Sequence, residues 1–302
     1  MTAFIARVLF VLAGVLGRLP WPVLAGLGDG VAWLWRRFDL RESRVARRNL
    51  EIAYPDLAEA ERARLHREIL RSTARQAFET LRLWTRPHAD NLRTLLVERH
   101  GVELFDAAIA AGKGVIVAAP HHGNWELLNQ WLADHTPLAI LYRPPDSAVG
   151  EAFLRLARAD AAERVTQIRA EAAGIRQLFK RLRDGGVVGI LPDQQPKQGD
   201  GEFAPFFGRE AYTMSLLPRL AERSGAAVVF AWCERIGPLR FALHIVPAPA
   251  GIADADTLVA TTALNAAVEA VARRDPAQYQ WTYKRWTLHP SGNPYHNPYR
   301  DL

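Results

Sequence analysis

The chain has one cysteine, two methionines and no uninterrupted apolar stretch of about 20 residues in its 302 positions. A lone cysteine excludes a disulfide framework within the chain. Cys233 stands in the apolar run 226–233 (AAVVFAWC), where a small buried strand residue is expected rather than a reactive thiol. The absence of long apolar runs argues against a multi-pass membrane protein. A G-x-S-x-G elbow, a P-loop and an H-E-x-x-H helix are all missing, which removes conventional serine hydrolases, NTPases and zincins. Gly26-x-Gly28-x-Gly30 falls short of the dinucleotide fingerprint, and no cysteine pair supports zinc. An apolar fraction of 49% with 23% charged residues excludes general disorder and provides material for a large core.

Charge is spread unevenly. Residues 1–48 carry eight arginines (7, 18, 36, 37, 41, 44, 47 and 48) against Asp29, Asp39 and Glu42, so they hold nearly all of the net +6. The arginines adjoin two short apolar runs, Val8–Gly17 and Trp21–Trp35, that contain Trp21, Trp33 and Trp35. Such rings favour the headgroup layer, and terminal arginines reach phosphate from it. Residues 1–40 are therefore expected to be an uncleaved interfacial or marginally spanning anchor, with a pair of ordinary buried helices as the alternative. No small-x-small cleavage site precedes Leu19-Pro20-Trp21-Pro22, and no aromatic–basic surface suggests nucleic acid.

Residues 41–302 read as one α/β domain: a mixed, largely parallel central sheet flanked by helices. Helices are expected over 41–53, 58–84, 102–111, from about 125, 147–159, 171–183, 214–223 and 257–274. Strands are expected at Val115–Ala119, Ala139–Tyr142, Val165–Arg169, Val187–Leu191, 226–235 and 240–247.

The chemistry concentrates in Ala119-Pro120-His121-His122-Gly123-Asn124-Trp125-Glu126, directly after a strand, where open α/β sheets place ligands. Asn124 is placed to cap the following helix. On one continuous helix His121 and Glu126 would point about 140° apart, so they meet only if the chain bends between them. Pro120 and Gly123 supply a bend, and the expected product is an imidazole held by a carboxylate: a base and its orienter without a nucleophile. That arrangement suits direct transfer to a hydroxyl. His122 is the weaker base; its spacing from Glu126 permits a metal pair, but a third ligand is not evident.

At these residues the chain resembles a known family. His121-x-Gly123-Asn124-Trp125-Glu126 is similar to the H-x4-D/E motif of glycerolipid acyltransferases, in the H-x-G-N-W-E form of bacterial lipid A biosynthesis acyltransferases. Further blocks follow in order: Arg48-Asn49-Leu50 with Tyr54-Pro55; Tyr142-Arg143-Pro144; Leu191-Pro192-Asp193-Gln194-Gln195 with Phe203-Ala204-Pro205-Phe206-Phe207-Gly208; and Gln280-Trp281 with Lys284-Arg285-Trp286. The resemblance implies His121 as general base and Glu126 as its partner. It implies an acyl carrier protein thioester as donor and, as acceptor, a hydroxyl of a lipid A precursor glycolipid at the cytoplasmic face of the inner membrane. Neither metal, nucleotide nor another cofactor is implied.

Around that pair, Asn124, Arg143, Arg158, Asp193, Gln194, Phe206 and Phe207 are the candidate substrate contacts. Arg143 would meet a phosphate or form a structural ion pair. Asp193 would orient the site, bind a sugar hydroxyl or cap a loop. Phe206 and Phe207 would line an acyl slot or pack in the core. Arg158 would correspond to the family arginine after Y-R-P, although the R-x-R-x-G pattern is not intact in Arg155-Leu156-Ala157-Arg158-Ala159-Asp160. The basic amino end would steer an acidic carrier protein or hold anionic lipid. Other readings are transfer to another glycolipid, an ornithine-type lipid or a lysophospholipid, or a non-catalytic membrane-associated binding module.

Overall fold

Val115, Ile116, Val117 and Ala118 are all buried, which only a strand covered on both faces achieves. This strand, β2 (Val115–Ala118), lies at the centre of the computed structural model, which describes residues 1–158 and 164–302. Five helices precede the sheet: α1 (Thr2–Gly17), α2 (Trp21–Arg37), α3 (Arg41–Ala53), α4 (Glu59–Trp84) and α5 (His88–Leu95). Then come β1 (Leu96–His100) and α6 (Val102–Ala110) before β2, and α7 (Trp125–His135), β3 (Leu138–Tyr142), α8 (Ala148–Ala157), β4 (Val165–Arg169), α9 (Ala172–Arg183) and β5 (Val187–Ile190) after it. A hairpin of β6 (Gly201–Phe206) and β7 (Arg209–Met214), then α10 (Leu216–Ser224), β8 (Ala227–Gly237), β9 (Arg240–Pro247) and α11 (Thr257–Arg274) complete the order.

Among the described residues, seven strands form one sheet in the order β1-β9-β8-β2-β5-β3-β4. The run β8-β2-β5-β3-β4 is parallel, β9 is antiparallel to β8, and β1 is parallel to β9. This is the expected mixed, largely parallel α/β sheet. Strand alternation divides its side chains between two cores. Ile116, Ala118, Val188 and Ile190 join α3, α4, α9, α10 and α11, while Val115, Val117 and Val187 join α5, α6 and α7.

Most expected elements are found, with shifted ends. The helix expected over 147–159 runs Ala148–Ala157, with Ser147 accepting a hydrogen bond from the Gly150 amide at its start; residue 159 lies outside the described residues. The helix expected near 214–223 starts at Leu216, because Arg209–Met214 pairs with β6. The helix α5, the edge strand β1 and the β6–β7 hairpin were not expected.

The first two helices invert the usual burial pattern. In α1 the small residues Ala6, Ala13 and Gly17 face inward, while Phe4, Val11, Leu12 and Val15 are exposed, Phe4 to 70%. A β-carbon on Gly17 would meet the Thr85 hydroxyl at 2.8 Å, so small residues let α1 lie close on α4. No single described helix is long and apolar enough to cross a membrane; α1 and α2 together pass on length and composition but are bent by 111°.

Candidate active site

The loop after β2 is laid down by backbone pairing on two sides. Gly123 and Asn124 lie against β8, with the Asn124 amide donating to the Cys233 carbonyl at 2.8 Å. Gly123 adopts φ +60°, and a β-carbon there would stand 1.9 Å from the same carbonyl oxygen, so no other residue fits. On the other side, the Gly123 amide donates to Gln278, His122 pairs with Tyr279, and the Gln280 amide donates to the His121 carbonyl. Asn124 then caps α7, accepting from the Leu127 amide at 3.2 Å.

His121 emerges from this loop opposite the loop after β5, the neighbouring parallel strand. Its Nδ1 donates to Asp193 Oδ1 at 2.7 Å, and its main-chain amide donates to Asp193 Oδ2 at 2.9 Å. Both carboxylate oxygens thus accept from His121. The Asp193 side chain is only 2% exposed. Burial by itself would raise its carboxyl, but the nearby His121 charge and the hydrogen bonds outweigh that and hold it below the usual carboxylate range. An ionised acceptor on Nδ1 leaves Nε2 as the imidazole lone pair. The Gln194 amide donates to Nε2 at 3.3 Å and to Gln280 Oε1 at 3.1 Å. Tyr279, also bonded to Asp193, has its phenol pushed well above its ordinary range by burial and then by the Asp193 charge.

Glu126 goes elsewhere, and here the expectation of a direct His121–Glu126 pair is corrected. Arg158 donates to its carboxylate from Nη2 at 2.5 Å and from Nε at 3.1 Å, and the Trp84 indole donates at 3.1 Å. The reason is rotational. Trp125 packs its ring edgewise on His121 with centroids 4.8 Å apart, and the next residue on the helix is turned about 100° away. The carboxylate that holds the imidazole is Asp193, from 72 residues further along the chain.

An imidazole held in one tautomer by a buried carboxylate has the chemistry to accept a proton, and a second buried carboxylate, Glu126, is paired with arginine nearby on α7. A model of the bacterial lipid A biosynthesis acyltransferases matches residues 2–287. The chain belongs to the bacterial lipid A biosynthesis acyltransferase family. It is 28% identical to the lipid A biosynthesis palmitoleoyltransferase of Escherichia coli K12 over 277 residues, which cover 91% of this chain and 88% of the relative. Identity to the lipid A biosynthesis lauroyltransferase of the same strain is 27% over 281 residues, covering 92% and 89%. A phosphatidylinositol mannoside acyltransferase of Mycobacterium tuberculosis H37Rv is 30% identical over 167 residues, 54% of this chain and 52% of that one.

The other candidate residues of this lipid A acyltransferase family member divide clearly. Gln194 and Asp193 meet at His121, and Arg158 meets Glu126. Asn124 is fully buried; besides capping α7, its amide lies 3.5 Å from Glu79, so it is occupied within the fold. Arg143 is exposed at the end of β3, with no ion pair or hydrogen bond to its side chain among the described residues. Of the two roles expected for Phe206 and Phe207, an acyl slot or the core, the structure shows the core. Phe206 ends β6 beneath the Arg285 guanidinium, and Phe207 makes the hairpin turn at φ +50° against Tyr54 and Trp281. Along β6 buried Ala204 and Phe206 alternate with exposed Pro205, and buried Phe207 follows in the turn, a pattern hidden by the flanking Pro205 and Gly208.

His122 is fully buried, and among the described residues neither ring nitrogen has a hydrogen-bond partner; burial pushes its pKa down to about 4. Among the described residues no group of three or more His, Cys, Asp or Glu could hold a metal ion. Burial likewise pushes the Cys233 thiol well up, so it is an inert core residue. Trp84, Tyr279 and Gln280 reach the site without having been singled out. Only Gln280 carried a signal, through its place beside Trp281 in the last family block.

Proposed function

We propose that the protein transfers a fatty acyl chain from an acyl carrier protein thioester to a hydroxyl of a lipid A precursor. The observation that carries this reading is the His121–Asp193 pair, with Nε2 left as the lone pair. His121 Nε2 removes the proton of the acceptor hydroxyl as its oxygen attacks the thioester carbonyl, and Asp193 stabilises the imidazolium. Collapse of the tetrahedral intermediate expels the carrier thiolate, which recovers the proton from His121. Among the described residues the group bonded to Nε2 is the Gln194 amide rather than a serine, threonine or cysteine, which supports direct transfer without an acyl-enzyme. Gln194 swings aside to admit the hydroxyl. Glu126 and Arg158 hold the acceptor end, and exposed Arg143 meets a phosphate of the acceptor or carrier.

An apolar groove of about 550 Å3 between α1 and α8 is lined by Leu9, Leu12, Leu16, Leu81 and Phe153, among others. Its inner wall reaches the site, since Phe153 packs edgewise on Trp84, the indole that bonds Glu126. We read it as the slot for an acyl chain. The outward apolar residues of α1 and α2 support residues 1–40 as an interfacial anchor on the inner membrane's cytoplasmic face, with 41–302 as the acyltransferase domain. The likeness to the mannoside acyltransferase supports a second acceptor class, a phosphoinositol glycolipid.

The test is acyl transfer by the detergent-purified chain, supplied with carrier-protein thioesters of mixed length and a tetra-acylated lipid A precursor. Mass spectrometry is expected to show one added acyl ester, lost in folded His121→Ala protein. Product formed equally by His121→Ala protein overturns the mechanism. No product with this acceptor, but product with the phosphoinositol glycolipid, moves the assignment to the second class.

A further inference from the structure

Four arginines converge on a groove that acyl transfer does not use. Arg36 lies in the last turn of α2, and Arg64, Arg67 and Arg71 recur at three- and four-residue spacing along α4. That spacing places side chains side by side on one helix face. Together with Asp29, Trp33 and Glu68 they line a groove of about 410 Å3 between the two helices. The two acids do not balance it. Asp29 accepts two bonds of 2.7 Å from Arg75, which leaves Arg71 at 3.4 Å, and Glu68 stands 4.0 Å from Arg64. Arg36 and Arg67 have no carboxylate partner among the described residues. Gathered guanidinium groups repel one another and are stabilised by an anion, and their planar forks match phosphate oxygens.

The groove's rim decides which phosphate. Trp33 is 52% exposed, and it flanks an outward stripe formed by Val23, Leu27 and Leu34 of α2 and by Phe38 just after it. Exposed tryptophan and aliphatic side chains beside arginine settle at a bilayer's headgroup layer; a soluble acidic protein would leave that stripe in water. The groove is also remote from the reaction. Arg71 and Arg64 precede Trp84 on the same helix by 13 and 20 residues, which is about 20 and 30 Å along its axis.

We propose that this groove binds the phosphate headgroups of anionic phospholipids, as a lipid site separate from the one that holds the reacting glycolipid. The proposal rests on the reading of α1 and α2 as a membrane-surface element. It gives α4 a job at each end: its amino-terminal half grips the bilayer surface, and its last residue supports Glu126. The site's orientation to the membrane is then set by charge as well as by apolar insertion.

Flotation of the full chain with vesicles tests this without any acyl transfer. Phosphatidylcholine vesicles are compared with vesicles in which part of the lipid is phosphatidylglycerol. The variant R64Q/R67Q/R71Q is set beside R176Q/K180Q/R183Q, which removes the same charge from α9. Wild type and the α9 variant are expected to prefer the anionic vesicles strongly. The groove variant is expected to lose that preference by on the order of 10²-fold, at about fivefold per arginine near an anionic surface. Its binding to phosphatidylcholine and its transfer to a micellar acceptor stay unchanged. Equal losses in both variants reduce the effect to net charge and overturn the proposal. An undiminished preference in the groove variant also overturns it, and if that variant's KM for the carrier thioester rises instead, the groove belongs to the carrier protein. Because partition is read without turnover, failure of the proposed transfer reaction leaves the outcome interpretable.

Discussion

His121 and Asp193 hang on loops that follow adjacent parallel strands, β2 and β5, whereas Glu126, Arg158 and Trp84 come from helix α7, the end of α8 and α4. The strand side is strapped from both directions: β8 holds Gly123 and Asn124, and residues 278–280 hold His121 to Gly123. The helix side leans on aromatic edges instead, Trp84 on Phe153 and Phe153 on Phe10 of α1, beside the open apolar groove. Backbone pairing through directional hydrogen bonds fixes position more tightly than edge contacts between side chains, which slide. On the proposed mechanism, the difference puts proton chemistry on the rigid support and leaves chain accommodation to the adjustable one.

The largest expected effect tests the rigid half. His121→Ala is expected to lower the transfer rate about 10²–10⁴-fold, with thermal melting showing an intact fold. Asp193→Asn is expected to approach the same loss, because an amide neither fixes the tautomer nor stabilises the imidazolium. The loss should fall on kcat. An equal kcat loss in Arg158→Leu protein, with KM unchanged, would break the division between the two halves.

Arg158→Leu is expected to act first on stability. It leaves Glu126, 4% exposed, without its cation, which costs about 3–5 kcal/mol in denaturant unfolding. Adding Glu126→Gln should recover much of that, since the stranded charge is then gone. Similar stability of the single and double variants would show that the ion pair does not hold the helix side.

A pH titration sharpens the contrast between the neighbouring histidines. His122, with a folded pKa near 4 against 6.5 unfolded, takes up a proton in the unfolded chain first. Stability is therefore fullest above pH 6.5 and falls by about 3 kcal/mol as pH drops toward 4. His66, also lowered chiefly by burial, adds to the same slope. His122→Leu is expected to flatten most of it in urea midpoints measured from pH 7 to 4.5. The smallest effect belongs to the adjustable side: Phe153→Ala should shift the preferred acyl length with a rate change of less than about tenfold, read from the product masses of mixed thioesters.

Much of this was legible beforehand for local reasons. A strand with apolar residues at both parities must be covered on both faces, so Val115–Ala118 and Val187–Ile190 announced a helix-flanked sheet. Gly123 and Asn124 announced a turn and a cap, and both do those jobs. The hairpin was hidden because Pro205 and Gly208 read as loop, and β1 because four of its five residues are exposed at the sheet edge. Glu126 was misplaced for a different reason: nearness in sequence suggested contact, and the helix turned its carboxylate toward Arg158.

By itself the sequence determined the alternation of elements, the bend after β2, the apolar, Trp- and Arg-bounded composition of the first helices and the family blocks. All of these depend on residues within a few positions of one another. Which carboxylate holds His121, where Glu126 finds its cation, and which faces of α2 and α4 enclose the arginine groove were decided only by tertiary structure. Those contacts join residues separated by 72, by 32 and by a similar span from α2 to α4, and chain closure over such loops is set by sheet order and helix packing, not by local preference.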